Sequence, residues 1–156
     1  DICTRFDVPF HCISHEQLAR EVFEAALIEM ISRYDADYIV LAKFMRILSP
    51  DFIARFPMRI INIHHSFLPA FIGANPYRKA FERGVKLIGA TAHFVTNELD
   101  EGPIIAQQII PVNHSFTAAG MMKAGKEIET AVLVKALQLV FDDRVFVYQN
   151  KTVVFE

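Results

Sequence analysis

Three features are scarce in this 156-residue chain: cysteine, long apolar runs, and an excess of charge of one sign. The two cysteines, Cys3 and Cys12, lack CxxC spacing, which argues against a disulfide framework and predicts reduced core thiols in a cytoplasmic protein. No stretch approaches the ~20 apolar residues of a membrane span, so we do not expect a membrane protein. Sixteen basic and eighteen acidic residues give a net charge of -2, which offers no basic surface for nucleic acid.

Hydrophobic residues, by contrast, make up 53% of the chain, and its length suits one domain with a large core. Short apolar segments typical of strands alternate with segments of helical periodicity. This alternation predicts an α/β fold with a mainly parallel, twisted sheet and flanking helices. The predicted strands cover residues 38–42, 59–64, 87–95 and 104–112, and a closing hairpin turns at 149–151.

Capping patterns predict where the helices begin. A short apolar run at 8–13 is followed by Ser14 and Gln17, a capping-box pair ahead of an apolar stripe that reaches Arg33. Further helices are predicted to begin at Ser49-Pro50, Asn75-Pro76 and Thr117, the second ending at Gly84 and the third at Phe141.

The stretch INIHHS places polar side chains at the end of a buried strand. Asn62 and His64 are two residues apart and therefore share one face, whereas His65 points elsewhere or leaves the strand. In open α/β sheets, ligands bind beyond the carboxyl ends of strands, which favours a functional site here. A buried His and Asn that satisfy backbone groups at a strand end are the alternative.

A second polar group follows in ATAHFVTNELDEGPII. Thr91, His93 and Val95 share one strand face, and Asp100 lies in the polar loop that comes next. Asp100 is either a solvated turn carboxylate or a partner of His64.

The histidines do not form a metal motif. Adjacent histidines on a strand diverge and neither HxH nor HExxH spacing occurs, so we expect no catalytic metal, although the possible ligands would be His64, His65, His93, His114 and Asp100. The glycines form neither a GxGxxG nor a P-loop pattern, so we expect no nucleotide cofactor.

INIHHSFLPAFIGANPY followed by ERGVKLIGATAHFVTNELDEGPIIAQ resembles the catalytic core of the folate-dependent formyltransferase family, and its hydrolytic members most closely. The resemblance implies a formyltransferase-like, Rossmann-type three-layer fold. It also implies hydrolysis of 10-formyltetrahydrofolate, as substrate and not cofactor, to formate and tetrahydrofolate. The family's catalytic Asn, His and Asp match Asn62, His64 and Asp100. The positions at which the family contacts the pterin match Met45, Arg46, Ile47 and Leu48. Asn97 and Gly102 match the loop that closes over the pterin, and Ser66 and His93 match residues that line the same site.

The chemistry of the three matched residues suits this reaction. Water attack on an N-formyl group creates an oxyanion, which Asn62 and a protonated His64 can stabilise as donors. A carboxylate at Asp100 would raise the proton affinity of His64, orient the water and relay its proton.

Two other functions remain open: a transferase of the same fold that formylates glycinamide ribonucleotide, and a folate-binding module without turnover. His65 stands where that transferase usually has Pro, which favours hydrolysis. Arg78 departs from the hydrolytic pattern, where relatives more usually carry His, and we interpret it as a helix-surface residue.

The resemblance also implies a preceding strand and helix, and a small regulatory domain ahead of them, which we do not find before Val8. We therefore expect the chain to be the C-terminal part of a longer protein. On its own it should be dimeric or aggregation-prone, a homo-oligomer with weak hydrolytic activity, because a sheet that lacks strands exposes apolar edges.

Overall fold

The computed structural model describes residues 2–16, 18–68 and 76–155. The chain divides into two compact units, Asp1–Asp37 and Tyr38–Glu156. No helix within the described residues is both long and apolar enough to cross a bilayer.

The first unit contains two helices, α1 (Ile2–Arg5) and α2 (Arg20–Tyr34). The predicted capping box does not start α2: the helix begins six residues after Ser14, whose Oγ instead accepts a hydrogen bond from Glu16 N in a local turn. Gln17 lies outside the described residues. A short polar side chain close to an apolar stripe predicts a cap, but a nearby backbone amide competes for the same oxygen.

The apolar run at 8–13 is exposed coil apart from a half-buried Ile13. Cys12 is exposed and Cys3 is half-buried, so the prediction that both cysteines are core residues is wrong. Both are free thiols, as predicted.

The second unit is built on a four-stranded sheet in the order β1-β2-β3-β4. Every predicted element of this unit forms within one or two residues of its expected bounds, except that the start of the helix at Asn75 lies outside the described residues. The strands are β1 (Ile39–Leu41), β2 (Ile60–His64), β3 (Leu87–Phe94), β4 (Ile104–Pro111) and the hairpin pair β5 (Val145–Tyr148) and β6 (Lys151–Val154); the helices are α3 (Pro50–Arg55), α4 (Pro76–Arg83) and α5 (Ala118–Phe141).

The predicted α/β fold is confirmed, but the sheet is mixed rather than mainly parallel. β1 and β2 are parallel, whereas β2–β3 and β3–β4 are antiparallel. The loop 95–103 between β3 and β4 is too short for the crossover that a parallel pair requires. The ladder between these two strands contains a bulge at Ala92 and His93.

The two faces of β3 have opposite characters. Ile88, Ala90, Ala92 and Phe94 belong to the hydrophobic core, which α5 covers. Thr91 and His93 alternate with them and are fully buried on the other face. The core residues that α5 contributes are Met121, Ile128, Val132, Ala136 and Val140.

Caps place the segments around the sheet. Ser49 Oγ accepts a hydrogen bond from Phe52 N at 3.1 Å, with Pro50 at the first turn, so α3 begins as predicted. Thr117 Oγ1 accepts from Gly120 N at 3.0 Å and caps α5. Because the α3 cap fixes the start of that helix, it also fixes the end of the segment 45–48 that precedes it.

Candidate active site

The polar residues of β2 and β3 meet on one face of the sheet. Asn62 lies opposite His93, and His64 lies opposite Thr91. Asn62, His64 and His93 line a cavity of about 330 Å³, a volume within the usual range for small-molecule sites. This register agrees with the predictions that Asn62 shares a face with His64 and that Thr91 shares a face with His93.

His93 determines which atoms Asn62 can offer to the cavity. His93 Nδ1 lies 2.8 Å from the carbonyl oxygen of Phe94, an acceptor, so Nδ1 carries the proton. Nε2 of the neutral ring is therefore an acceptor, and Asn62 Nδ2 donates to it at 3.3 Å. The amide of Asn62 is thereby oriented with its NH₂ group on the His93 side.

The loop 95–103 brings Asp100 to both histidines. Asp100 Oδ1 lies 3.4 Å from His64 Nδ1 and 3.7 Å from His93 Nε2. Asp100 adopts a left-handed backbone conformation with φ 57°, which Asp tolerates better than most residues. The sequence left open whether Asp100 is a solvated turn residue, and the structure shows it as a partner of His64.

Gly102 allows this loop to close against β3. A Cβ atom at Gly102 would lie 1.8 Å from the carbonyl oxygen of Phe94, the same oxygen that fixes the His93 tautomer. Any larger residue would displace the loop, so Gly102 shapes the site through its backbone.

Burial controls the charge of the two histidines. Desolvation lowers the pKa of His64 below its ordinary value of 6.5; Asp100 raises that pKa, but burial and the neighbouring His65 and His93 outweigh it. Desolvation also lowers the pKa of His93. Asp100 therefore raises the proton affinity of His64, as expected, but desolvation outweighs it, so His64 is neutral at pH 7 and not protonated as predicted.

The second ring nitrogen of His64, Nε2, is buried and unpartnered among the described residues, and the same holds for Ser66 Oγ. The ring of His64 stacks on that of His65, with centroids 5.0 Å apart and planes 15° apart. Since stacking and the Asp100 contact both restrain the imidazole, its free nitrogen has a defined direction.

Most of the predicted substrate-binding residues line the cavity: Met45, Arg46, Ile47, Leu48, His93 and Asn97. The exceptions are Ser66 and Gly102, which belong to adjoining loops and are not among its lining residues. The other lining residues include apolar Leu41, Phe44, Ile53, Val95 and Leu99. The mouth is exposed, since Met45 is 71% and Ile47 63% accessible.

Glu129 of α5 also lines the cavity and did not stand out in the sequence. It accepts a hydrogen bond from the hydroxyl of Tyr77 at 2.6 Å, and burial together with Glu129 raises the pKa of Tyr77. The pattern of α5 predicts a core helix, and a single acidic residue in such a helix gives no signal of a site.

Arg78 is exposed on α4, and its Nε donates to Glu82 Oε1 at 3.0 Å. This confirms that it is a helix-surface residue. Among the described residues, no group of three or more His, Cys, Asp or Glu side chains is arranged to hold a metal ion.

The fold and the site have counterparts in known proteins. A family model described as formyl transferase matches residues 3–137. Formyltetrahydrofolate deformylase of Haemophilus influenzae is 59% identical over 154 residues, covering 99% of this chain and 55% of that protein.

Two solved structures are also similar. A crystal structure of a formyltetrahydrofolate deformylase from Pseudomonas syringae has a TM-score of 0.93 and 42% identity, covering 99% of this chain and 52% of that one. Glycinamide ribonucleotide transformylase 1 from Symbiobacterium toebii has a TM-score of 0.89 and 35% identity, covering 99% and 73%. The chain spans about half the length of the curated relatives it matches. It belongs to the formyl transferase family, as the match over most of its length shows.

Proposed function

We propose that this chain hydrolyses 10-formyltetrahydrofolate to formate and tetrahydrofolate. The observation that carries the proposal is the convergence of Asn62, His64 and Asp100 on one cavity, in a chain 59% identical to a formyltetrahydrofolate deformylase. An amide, an imidazole with a free nitrogen and a carboxylate are the groups that water attack on an N-formyl group requires.

Asn62 stabilises the oxyanion. One Nδ2 hydrogen is directed to His93, and an amide carries two, so the second is available to the formyl oxygen in the cavity. A donor already oriented before the reaction needs no rearrangement as charge develops on that oxygen.

Neutral His64 acts as the base. Its Nε2 takes a proton from the attacking water while Nδ1–H points to the Asp100 carboxylate, which stabilises the imidazolium that forms. The imidazolium then returns this proton to N10 as the carbon–nitrogen bond breaks. The second proton of the water is lost from the resulting formic acid to solvent, which leaves formate and tetrahydrofolate.

The apolar part of the cavity holds the pterin. Leu41, Phe44 and Ile53 supply apolar lining, and the segment 45–48 and Asn97 line the same cavity. Met45 is exposed, and an unbranched methionine side chain can adapt to an aromatic ring.

The direct test is formate release from 10-formyltetrahydrofolate with no amine acceptor present. We expect formate and tetrahydrofolate in equal amounts. Loss of the formyl group that depends strictly on glycinamide ribonucleotide would favour the transferase function. The similarity to the Symbiobacterium toebii enzyme makes this the alternative. Normal folate binding without any formate would indicate a binding module.

Self-association and a cytoplasmic location stay predictions. The outer face of the hairpin offers apolar surface for self-association, since Phe146, Tyr148 and Phe155 are each about 60% exposed. Sedimentation velocity would measure the oligomeric state, and a monomer at micromolar concentration would contradict the prediction.

A further inference from the structure

Behind the candidate site, two side chains of β3 and β4 hold the loop that follows His64. Thr91 Oγ1 donates to the carbonyl oxygen of Ser66 at 2.9 Å and accepts from Leu68 N at 3.0 Å. Gln107 Nε2 lies 3.0 Å from both the carbonyl oxygen of Leu68 and Thr91 Oγ1 and donates to each. We call these four bonds the loop clamp.

The loop clamp uses the full hydrogen-bonding capacity of its central groups. The hydroxyl of Thr91 donates once and accepts twice, and the amide of Gln107 spends both of its hydrogens. Thr91 is fully buried, so an unmade bond there would not be replaced by water. The backbone of Leu68 is consequently fixed through both its N–H and its C=O.

Gln107 can influence His64 only indirectly, through this loop. It does not line the cavity, and it lies opposite Thr91 in the β3–β4 ladder. Thr91 in turn lies opposite His64 in the β2–β3 ladder. The clamp therefore begins two residues after His64 and determines how the chain leaves β2.

We propose that Gln107 is a positioning residue for His64. It holds the loop 65–68 so that the imidazole stays buried, stacked on His65 and within reach of Asp100. The 3.4 Å separation between His64 Nδ1 and Asp100 Oδ1 is already long for a hydrogen bond, so a shift of a few tenths of an ångström would break it. This role rests on the proposed hydrolytic function.

The test compares Gln107→Ala with Gln108→Ala in the full-length protein. Gln108 is the next residue of β4, has the same chemistry and is exposed, so it is a matched control. For Gln107→Ala we expect kcat to fall ~10-fold with KM within twofold, since small misplacements of reacting groups are costly. Gln107→Glu keeps the shape but sets a carboxylate against the Leu68 carbonyl, so its loss should be at least as large.

Two measurements separate positioning from a general structural effect. Hydrogen exchange at the Leu68 amide should become ~10-fold faster in Gln107→Ala while the amides of β3 keep their protection. The pKa of His64, followed by NMR, should rise towards 6.5 because a loosened loop hydrates the ring, and desolvation is the main cause of its lowered value. Gln108→Ala should change neither quantity.

Unchanged kcat in Gln107→Ala would overturn the inference, as would faster exchange throughout β3, which would indicate general destabilisation. If the wild-type protein releases no formate, the proposed function fails instead. The inference is then decided by Leu68 exchange and His64 titration, which require no substrate.

Discussion

Replacing Asp100 with Asn removes one negative charge from the site and changes little else. Asn is nearly isosteric with Asp and, like Asp, tolerates the left-handed conformation that residue 100 adopts at φ 57°. Asp100→Ala would add backbone strain to the loss of charge, so it is the poorer experiment. In Asp100→Asn, any loss of activity can be attributed to the carboxylate.

The distance to His64 sets the size of the effect. A pair of unit charges 3.4 Å apart interacts by about 5 kcal/mol at an effective dielectric constant of ~20, and by about 1 kcal/mol in bulk water. Asp100 is 28% exposed, which places the true value between these limits. Because the imidazolium forms only during the reaction, this energy is lost from the transition state. We expect kcat to fall at least ~100-fold, which corresponds to about 2.7 kcal/mol.

The assay is formate release under saturating 10-formyltetrahydrofolate, with folate affinity measured separately. Glu101→Gln is the matched control, because it neutralises an exposed carboxylate next to Asp100 in the chain. Folate affinity should change far less than kcat in Asp100→Asn, and Glu101→Gln should behave as wild type. Turnover close to wild type in Asp100→Asn would remove Asp100 from the mechanism, and the charge argument with it.

Three further outcomes are expected. Asn62→Ala should lower kcat by an amount that corresponds to roughly 3 kcal/mol of lost transition-state stabilisation, the scale of a lost oxyanion-hole donor. A rise in KM alone would instead make Asn62 a binding residue. Folate should protect the amides of 45–48 and 97–102 from hydrogen exchange; protection confined to other segments would place the ligand elsewhere. The free energy of unfolding should decrease as pH falls below about 6.5, because the lowered pKa values of His64 and His93 mean that the unfolded chain binds protons there that the native chain does not. Urea titrations at pH 7 and 5 measure this, and equal stabilities would contradict it.

The sequence predicted most of the second unit because its local signals agree with its tertiary structure. The cap at Ser49 with Pro50 and the short, largely apolar segment of β3 specify the same elements that packing selects. These local signals could not predict whether neighbouring strands run parallel or antiparallel, since an apolar segment has the same pattern in either direction. The prediction of a helix cap at Ser14 failed because its hydroxyl accepts a hydrogen bond from the nearby amide of Glu16 in a local turn.

The candidate site was likewise predictable from the sequence only in part. Period-two spacing placed Asn62 with His64 on one face of β2 and Thr91 with His93 on one face of β3, and the resemblance assigned a role to Asp100. The neutral state of His64 could not be foreseen, because it results from burial outweighing a carboxylate 3.4 Å away, and burial depends on the folded chain. Gln107 was missed because a glutamine in a strand is an ordinary residue until its partners are known.

The bulge at Ala92 and His93 limits how this region can diverge among related genes. On the N-terminal side of the bulge, Ile88, Ala90 and Ala92 belong to the core, whereas Thr91 lies on the opposite face of β3, paired with His64. A deletion of one residue there would turn Thr91 into the apolar layer and an alanine towards the substrate, whereas a point substitution leaves the alternation intact. The bulge already accommodates one extra residue in β4. A second change of length would therefore shift the pairing of the two strands. Related sequences should therefore differ along β3 by substitution and keep its length constant, with insertions collecting in the turn of the closing hairpin.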